Sequence, residues 1–278
     1  DLGNSDPNKS SRFSDIKLTG YRDLDPNSTS MHVGVGVESV IDFRIDHCFF
    51  KHTTGGAIGV GGLYSCGVID HCKFINEYGI IAPYDDRTIG YGVHVSRGWD
   101  CTDWEDDISK VLGKYTNYTV FIEDCYFSKW RHCVASNNGV HYVFRYNTIE
   151  NDFGYGSVDA HGTYTNVGTR TIEVYENEFL NSTMNRDAIW IRGGGGVIFN
   201  NTVQGYNRFA YLSREGDVEK CWPHDIWVWN NTLPSGVNPV VVYDDPNKGA
   251  PVEGVDYFLY EKSGYMPYPY PLTLEAYP

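Results

Sequence analysis

Ile45-Asp46-His47-Cys48, Ile69-Asp70-His71-Cys72, Ile122-Glu123-Asp124-Cys125, Phe144-Arg145-Tyr146-Asn147, Val174-Tyr175-Glu176-Asn177, Ile198-Phe199-Asn200-Asn201 and Val228-Trp229-Asn230-Asn231 are seven copies of one phrase. Each ends an alternating apolar run and closes on Cys or Asn. Successive closing positions lie 24, 53, 22, 30, 24 and 30 residues apart, so every gap but one falls near a single length. Self-similarity at such a period is the signature of a solenoid.

Period-two alternation, as in Ile41, Phe43, Ile45 or Tyr142, Phe144, makes each phrase a strand, and a second short apolar run follows after a polar break. No stretch carries a helical period. Several short strands per coil with Gly and Asn at the corners describe a parallel β-helix. On these residues the chain, over roughly residues 13 to 245, resembles the right-handed parallel β-helix superfamily, the pectate-lyase-like fold. The expected architecture is all-β, a single-stranded right-handed parallel β-helix of about eight coils.

The ladder position suits Asn, whose amide bonds turn backbone and the next Asn above it. Cys48, Cys72 and Cys125 take the same position as small buried thiols. His47 and His71, one residue earlier, read as structural. Cys66, Cys101 and Cys221 read as loop residues, where any disulfide would form, and the odd total of seven leaves one thiol unpaired. No Cys-x-x-Cys occurs, which argues against a zinc site.

Residues 1–12 read as a loose leader, 13–245 as the solenoid and 246–278 as a Pro/Tyr-rich tail that cannot pair as a central strand. The tail either covers the last coil or grips a neighbouring subunit. Excursions are expected near 96–116, which accounts for the gap of 53, and near 214–225.

With 278 residues, 30 Gly and 41% hydrophobic residues, the chain fits one elongated domain with a thin stacked core. A formal net charge of -14 argues against nucleic acid, anionic lipid and other polyanions as partners, and so weakens a lyase for a polyanionic substrate. No apolar run is long enough to span a bilayer. The chain begins at Asp1 without an initiator Met or a signal peptide, which points to a processed or excised piece of a precursor. Sequons at Asn8, Asn27, Asn117, Asn181, Asn200 and Asn230 favour a glycosylated extracellular or cell-surface protein.

Alternation also assigns faces. With Val134, Ser136, Val158, Ala160, Ile189, Ile191, Ala210 and Leu212 inward, Asn137, Asp159, His161, Trp190, Arg192, Tyr211 and Ser213 share one outer face. Trp190 and Tyr211 supply sugar platforms, and Asn137, Ser213, Arg131 and Asp187 supply polar contacts. Breakage of a uronate chain by β-elimination would use His161 or a deprotonated basic residue as the base, with Arg192 neutralising the carboxylate and Arg131 or Arg186 as further cations. Hydrolysis would use Asp159 and Asp187 as a carboxylate pair. The resemblance further implies Ca²⁺ bridging enzyme and substrate carboxylate, with Asp159 contributing, although no calcium-loop pattern is present. A salt bridge between Arg192 and Asp159 is the plain structural alternative.

The expectation is therefore a carbohydrate-directed protein, a polysaccharide lyase or glycoside hydrolase. The rival is a non-catalytic structural or adhesive β-helix, assembling as a homo-oligomer or filament through the outer column that ends in Tyr175, Phe199 and Trp229, with Trp227 beside it. Against that rival stands the reading that the tail from Tyr257 to Tyr277 folds back over those rings.

Overall fold

The computed structural model describes residues 11–20, 33–53, 55–76, 90–98, 107–150, 156–163, 167–181 and 187–273. Three parallel sheets of nine, seven and eight strands run the length of the chain. Sheet A starts with Arg12–Ser14, Phe43–Asp46, Gly67–Asp70 and Thr119–Glu123. It continues through His141–Arg145, Thr171–Tyr175, Gly195–Phe199 and Ile226–Trp229 to Tyr257–Phe258. Sheet B carries the short strands from Lys17–Thr19 to Thr202–Gln204, and sheet C runs from Val33–Glu38 to Val240–Val242. Each strand pairs with the equivalent strand one coil away, so the chain is a parallel β-helix.

Asn builds the sharp corner between sheets A and B. Nδ2 of Asn147, Asn177 and Asn201 donates to Oδ1 of the next ladder Asn at 3.0, 3.0 and 2.9 Å. Each Oδ1 also accepts the backbone N–H of the preceding ladder residue, from Cys125 into Asn147 to Asn201 into Asn231. The residue before the ladder is left-handed in every phrase, with φ of 53° at His47, 51° at His71, 55° at Asp124 and Tyr146, 56° at Glu176, 54° at Asn200 and 51° at Asn230. Asn177→Ala would strip buried partners from Asn147, Phe144 and Asn201 at once. The expected cost is at least about 2 kcal/mol, given about 1–3 kcal/mol for each buried group left unpaired. Urea unfolding checks it, and an unchanged midpoint would mean that the ladder carries no weight.

Inside, Phe50, Phe74 and Phe127 stack at 5.0 and 4.5 Å along sheet B. In sheet C the alternation slips: Ala57 with Ile58, Cys133 with Val134, Ala188 with Ile189 and Phe209 with Ala210 are consecutive core members. The register stays one-to-one across these pairs, so the break in alternation is shared by neighbouring strands and repeated coil after coil.

Sheet A is covered on its outer face as well. Val68, Phe121, Val143 and Val197 form a second apolar layer under Ile108, Val111 and Leu112 of the first excursion and under Tyr265, Tyr268 and Leu272 of the tail. The tail does more than cap the last coil. After adding Tyr257–Phe258 to sheet A it turns back down the wall. Tyr265 bonds to Glu173, Arg145 donates to the carbonyls of Tyr268 and Pro269 at 2.6 and 3.0 Å, and the Leu272 N–H donates to Glu123 at 2.8 Å.

Of the aromatic column, Tyr175 and Phe199 are buried, and Tyr265 packs edge-on to Phe199 and Trp229. Trp227 and Trp229 remain partly exposed. Arg12, read from sequence as part of the loose leader, lies in a strand. Cys66 and Cys221, read as loop residues suited to a disulfide, are both buried, and Cys66 is a free thiol. Cys101, Arg186, Asn8 and Asn27 fall outside the described residues. Asn117 and Asn230 are exposed and Asn181 and Asn200 half-exposed.

Candidate functional site

The outer face of sheet C aligns His94, Ala135, Asp159, Trp190 and Tyr211 in one register column. Backbone bonds from His161 to Ser136, Arg192 to Ala160 and Ser213 to Ile191 continue the ladder, placing Asn137, His161, Arg192 and Ser213 in the neighbouring column. The residues read from alternation thus line up on adjacent coils, stepped about 4.8 Å apart, with Asp159, Arg192 and Ser213 buried.

At its centre Asp159 is fully buried. Arg192 grips it in a fork, Nε to Oδ1 at 3.0 Å and Nη2 to Oδ2 at 2.7 Å. His161 Nε2 lies 2.7 Å from the same Oδ2, which crowds it to 2.5 Å from Arg192 Nη2. Glu215 closes the cluster from the second excursion, 2.6 Å from Arg192 Nη1 and 3.5 Å from His161 Nδ1. The Gly162 N–H donates to Glu215 at 3.0 Å. Glycine is required where the excursion approaches: a Cβ on Gly162 would sit 2.6 Å from the Glu215 carbonyl oxygen, and one on Gly193 2.6 Å from that of Cys221. The glycine run after Arg192 serves this close approach.

Two further histidines border the cluster. Tyr91 stacks on His94 at 5.2 Å and on His132 at 5.6 Å, and His132 meets His161 edge-on at 6.5 Å. His132 Nδ1 donates to the Gly156 carbonyl at 2.5 Å. That leaves its buried Nε2 without a hydrogen-bond partner, 4.0 Å from Asp159 Oδ2.

The protonation states separate sharply. Burial alone would raise the Asp159 carboxyl, but the charges of His161 and Arg192 outweigh it and hold it well below the usual range. Glu215 is lowered too, as bonding to His161 and the charge of Arg192 overcome its burial. His161 is disfavoured as a cation by burial, yet the charge and hydrogen bond of Asp159 and the bond to Glu215 raise it to about 9. His94 goes the other way, to about 4, through burial and the nearby positive His161. His132 is likewise lowered to about 4 by burial.

Around this centre, the Trp190 ring carries the Arg192 guanidinium at 4.5 Å and its Nε1 donates to Ser213 Oγ at 2.9 Å. Tyr211 carries Arg208 at 4.1 Å, so each aromatic platform has one face taken by a cation. Asp187 is bound to Arg208 rather than joined to Asp159. Arg131 lies over Tyr91 at 5.9 Å, and Asn137 accepts the Asn138 N–H at 2.8 Å. Among the described residues no group of three or more His, Cys, Asp or Glu side chains is arranged to hold a metal ion. Both Asp159 oxygens are engaged by Arg192, so that carboxylate does not fit the Ca²⁺ role the resemblance implied.

His94, His132 and Glu215 belong to this cluster, and of these His94 and Glu215 were not singled out from the sequence. His94 was within reach, because alternation along Tyr91–Ser96 turns it outward. Comparison with models of protein families, with curated proteins and with solved structures gives no match for this chain.

Proposed function

We propose that this parallel β-helix is a carbohydrate-directed, pectate-lyase-like protein that acts outside the cell and cleaves a uronate-containing polysaccharide by β-elimination on the outer face of sheet C. The observation that carries the reading is the imidazole cluster on that face, with Tyr91 stacked on His94 and His132 at 5.2 and 5.6 Å, His132 edge-on to His161 at 6.5 Å and His161 2.7 Å from Asp159, in which burial pushes His94 down and Asp159 holds His161 up. Groups whose environments push their pKa values apart are candidates for base and acid. This reverses the role that sequence gave His161: near neutrality it is a cation and an acid, and His94 is the neutral base.

In the proposed step His94 takes the proton beside the sugar carboxylate. The electron pair of that C–H bond forms the ring double bond, the glycosidic C–O bond breaks, and His161 protonates the leaving oxygen. Arg131 and the imidazolium of His161 would offset the sugar's charge, which the chain's net charge of -14 makes a necessity. Asp159, fully buried, is a positioning residue that keeps His161 and Arg192 in place.

Hydrolysis is less favoured. It needs one carboxyl kept protonated beside a carboxylate, whereas Asp159 is held ionised and Asp187 is tied to Arg208. The adhesive alternative is less favoured too, because the column meant for subunit contact is largely covered by the chain's own tail.

The test is release of unsaturated products, followed by ultraviolet absorbance, from a panel of uronate and neutral polysaccharides. The rate should be flat between about 4 and about 9, falling below as His94 gains a proton and above as His161 loses one. His94→Gln and His161→Gln should each lose on the order of 10²–10⁴-fold. Folded protein that cleaves no polymer of the panel, or variants as active as the parent, would sink the reading.

A further inference from the structure

The corner of the early coils carries two imidazoles that the proposed site does not use. His47 and His71 hold the same left-handed corner position in successive coils. Their rings lie face to face, 4.9 Å between centroids and 6° apart in plane. Each is oriented by the carboxylate before it in sequence, His47 Nδ1 at 2.9 Å from Asp46 Oδ2 and His71 Nδ1 at 2.8 Å from Asp70 Oδ2.

Those carboxylates are fixed in turn. Asp46 and Asp70 are buried, and Arg12 and Arg44 bind them in forks of 2.8 and 2.6 Å and of 3.1 and 2.8 Å. A carboxylate engaged this way only accepts, so each Nδ1 is the donor and, in the neutral ring, each Nε2 carries a lone pair. Ring geometry sets Nε2 on the side away from the carboxylate. The side chains are 52% and 51% exposed, and among the described residues nothing bonds to either Nε2.

A ring whose one nitrogen is held by a carboxylate and whose other is an open lone pair is what a transition metal takes from histidine. The corner itself does not demand histidine, since later coils place Asp124, Tyr146, Glu176, Asn200 and Asn230 there. We propose that His47 and His71 form a two-imidazole site for a borderline divalent metal ion such as Zn²⁺. Metal–nitrogen bonds of about 2.0–2.1 Å put the two nitrogens no more than about 4.2 Å apart, so the exposed rings tilt toward each other on binding. No third His, Cys, Asp or Glu among the described residues joins them, and water completes the shell.

Titrating metal-free full-length chain with Zn²⁺ by calorimetry tests this. One saturable equivalent is expected, weakened by about tenfold or more in either His47→Gln or His71→Gln. His224→Gln is the control, because His224 Nδ1 likewise meets a neighbouring carboxylate, Asp225 at 2.8 Å, but has no stacked imidazole. Imidazole resonances of the unsubstituted chain give a second readout: those of His47 and His71 should shift together at one equivalent. No saturable binding, binding unchanged in both variants, or equal loss in the His224 control would overturn the proposal.

Discussion

Arg145→Ala is expected to unfasten the C-terminal tail and to cost about 3–5 kcal/mol, the usual penalty for breaking a buried ion pair from one side. Arg145 is wholly buried. Its Nε donates to Glu123 at 2.7 Å, its Nη1 to the Tyr175 hydroxyl at 3.0 Å, and Nη1 and Nη2 reach the Tyr268 and Pro269 carbonyls. The guanidinium also lies over the rings of Phe121 and Tyr270 at 4.8 and 5.3 Å. Truncation would leave Glu123 in a site where burial already raises its pKa despite Arg145, with two carbonyls beside it unpaired.

The cheapest relief is for the tail to lift and let water in. The variant should therefore lose amide protection at Leu272 and gain protease cleavage in the tail, while the coils stay folded. Arg145→Met, which fills the space without demanding partners, should still release the tail carbonyls. A tail as protected in both variants as in the parent would show that aromatic packing alone holds it.

That the tail lies on the wall was written in the strands it covers. Val120-Phe121-Ile122, Tyr142-Val143-Phe144 and Val197-Ile198-Phe199 are apolar at every position, and a strand apolar on both faces is covered on both. Reading only the inward face hides this. The ladder was legible because Asn147, Asn177, Asn201 and Asn231 satisfy one another, so sequence period and bonding pattern coincide. Asp159, Trp190 and Tyr211 were legible as neighbours for the same reason, since a regular register carries alternation from coil to coil.

What escaped lies where regularity stops. Cys133 and Val134 both face inward, so counting by twos back from Val134 gives His132 the wrong face. Glu215 sits on an excursion whose path is set by contacts with Gly162 and Arg192, and no local pattern encodes that return. Protonation escaped as well. His161 and His94 are the same residue type on the same face, and their states separate because Asp159 and Glu215 bond to His161, whereas His94 has burial and the charge of His161 against it.

Asp159→Asn tests that separation. Without the carboxylate, burial and the adjacent Arg192 both disfavour the imidazolium, and only Glu215 still supports it. The His161 ring should then titrate well below its present value of about 9. Arg192 loses its bidentate partner, and the expected loss of stability is about 3–5 kcal/mol.

The pH dependence has a fixed sign. A histidine raised in the folded state contributes stability that is fully present below its unfolded value of about 6.5 and is lost as pH rises through the folded value. Asp159, lowered in the folded state, contributes above its own unfolded value of about 3.9 and loses this only in stronger acid. The gap between parent and variant should therefore be widest from about 4 to about 6.5, and should narrow toward alkaline pH without closing, because the Asp159–Arg192 fork does not titrate there. Ring titration by NMR and urea unfolding at acid and alkaline pH measure both quantities on one pair of proteins. A His161 that still titrates near its present value, or a gap that does not change with pH, would mean that Asp159 is not what holds this histidine charged.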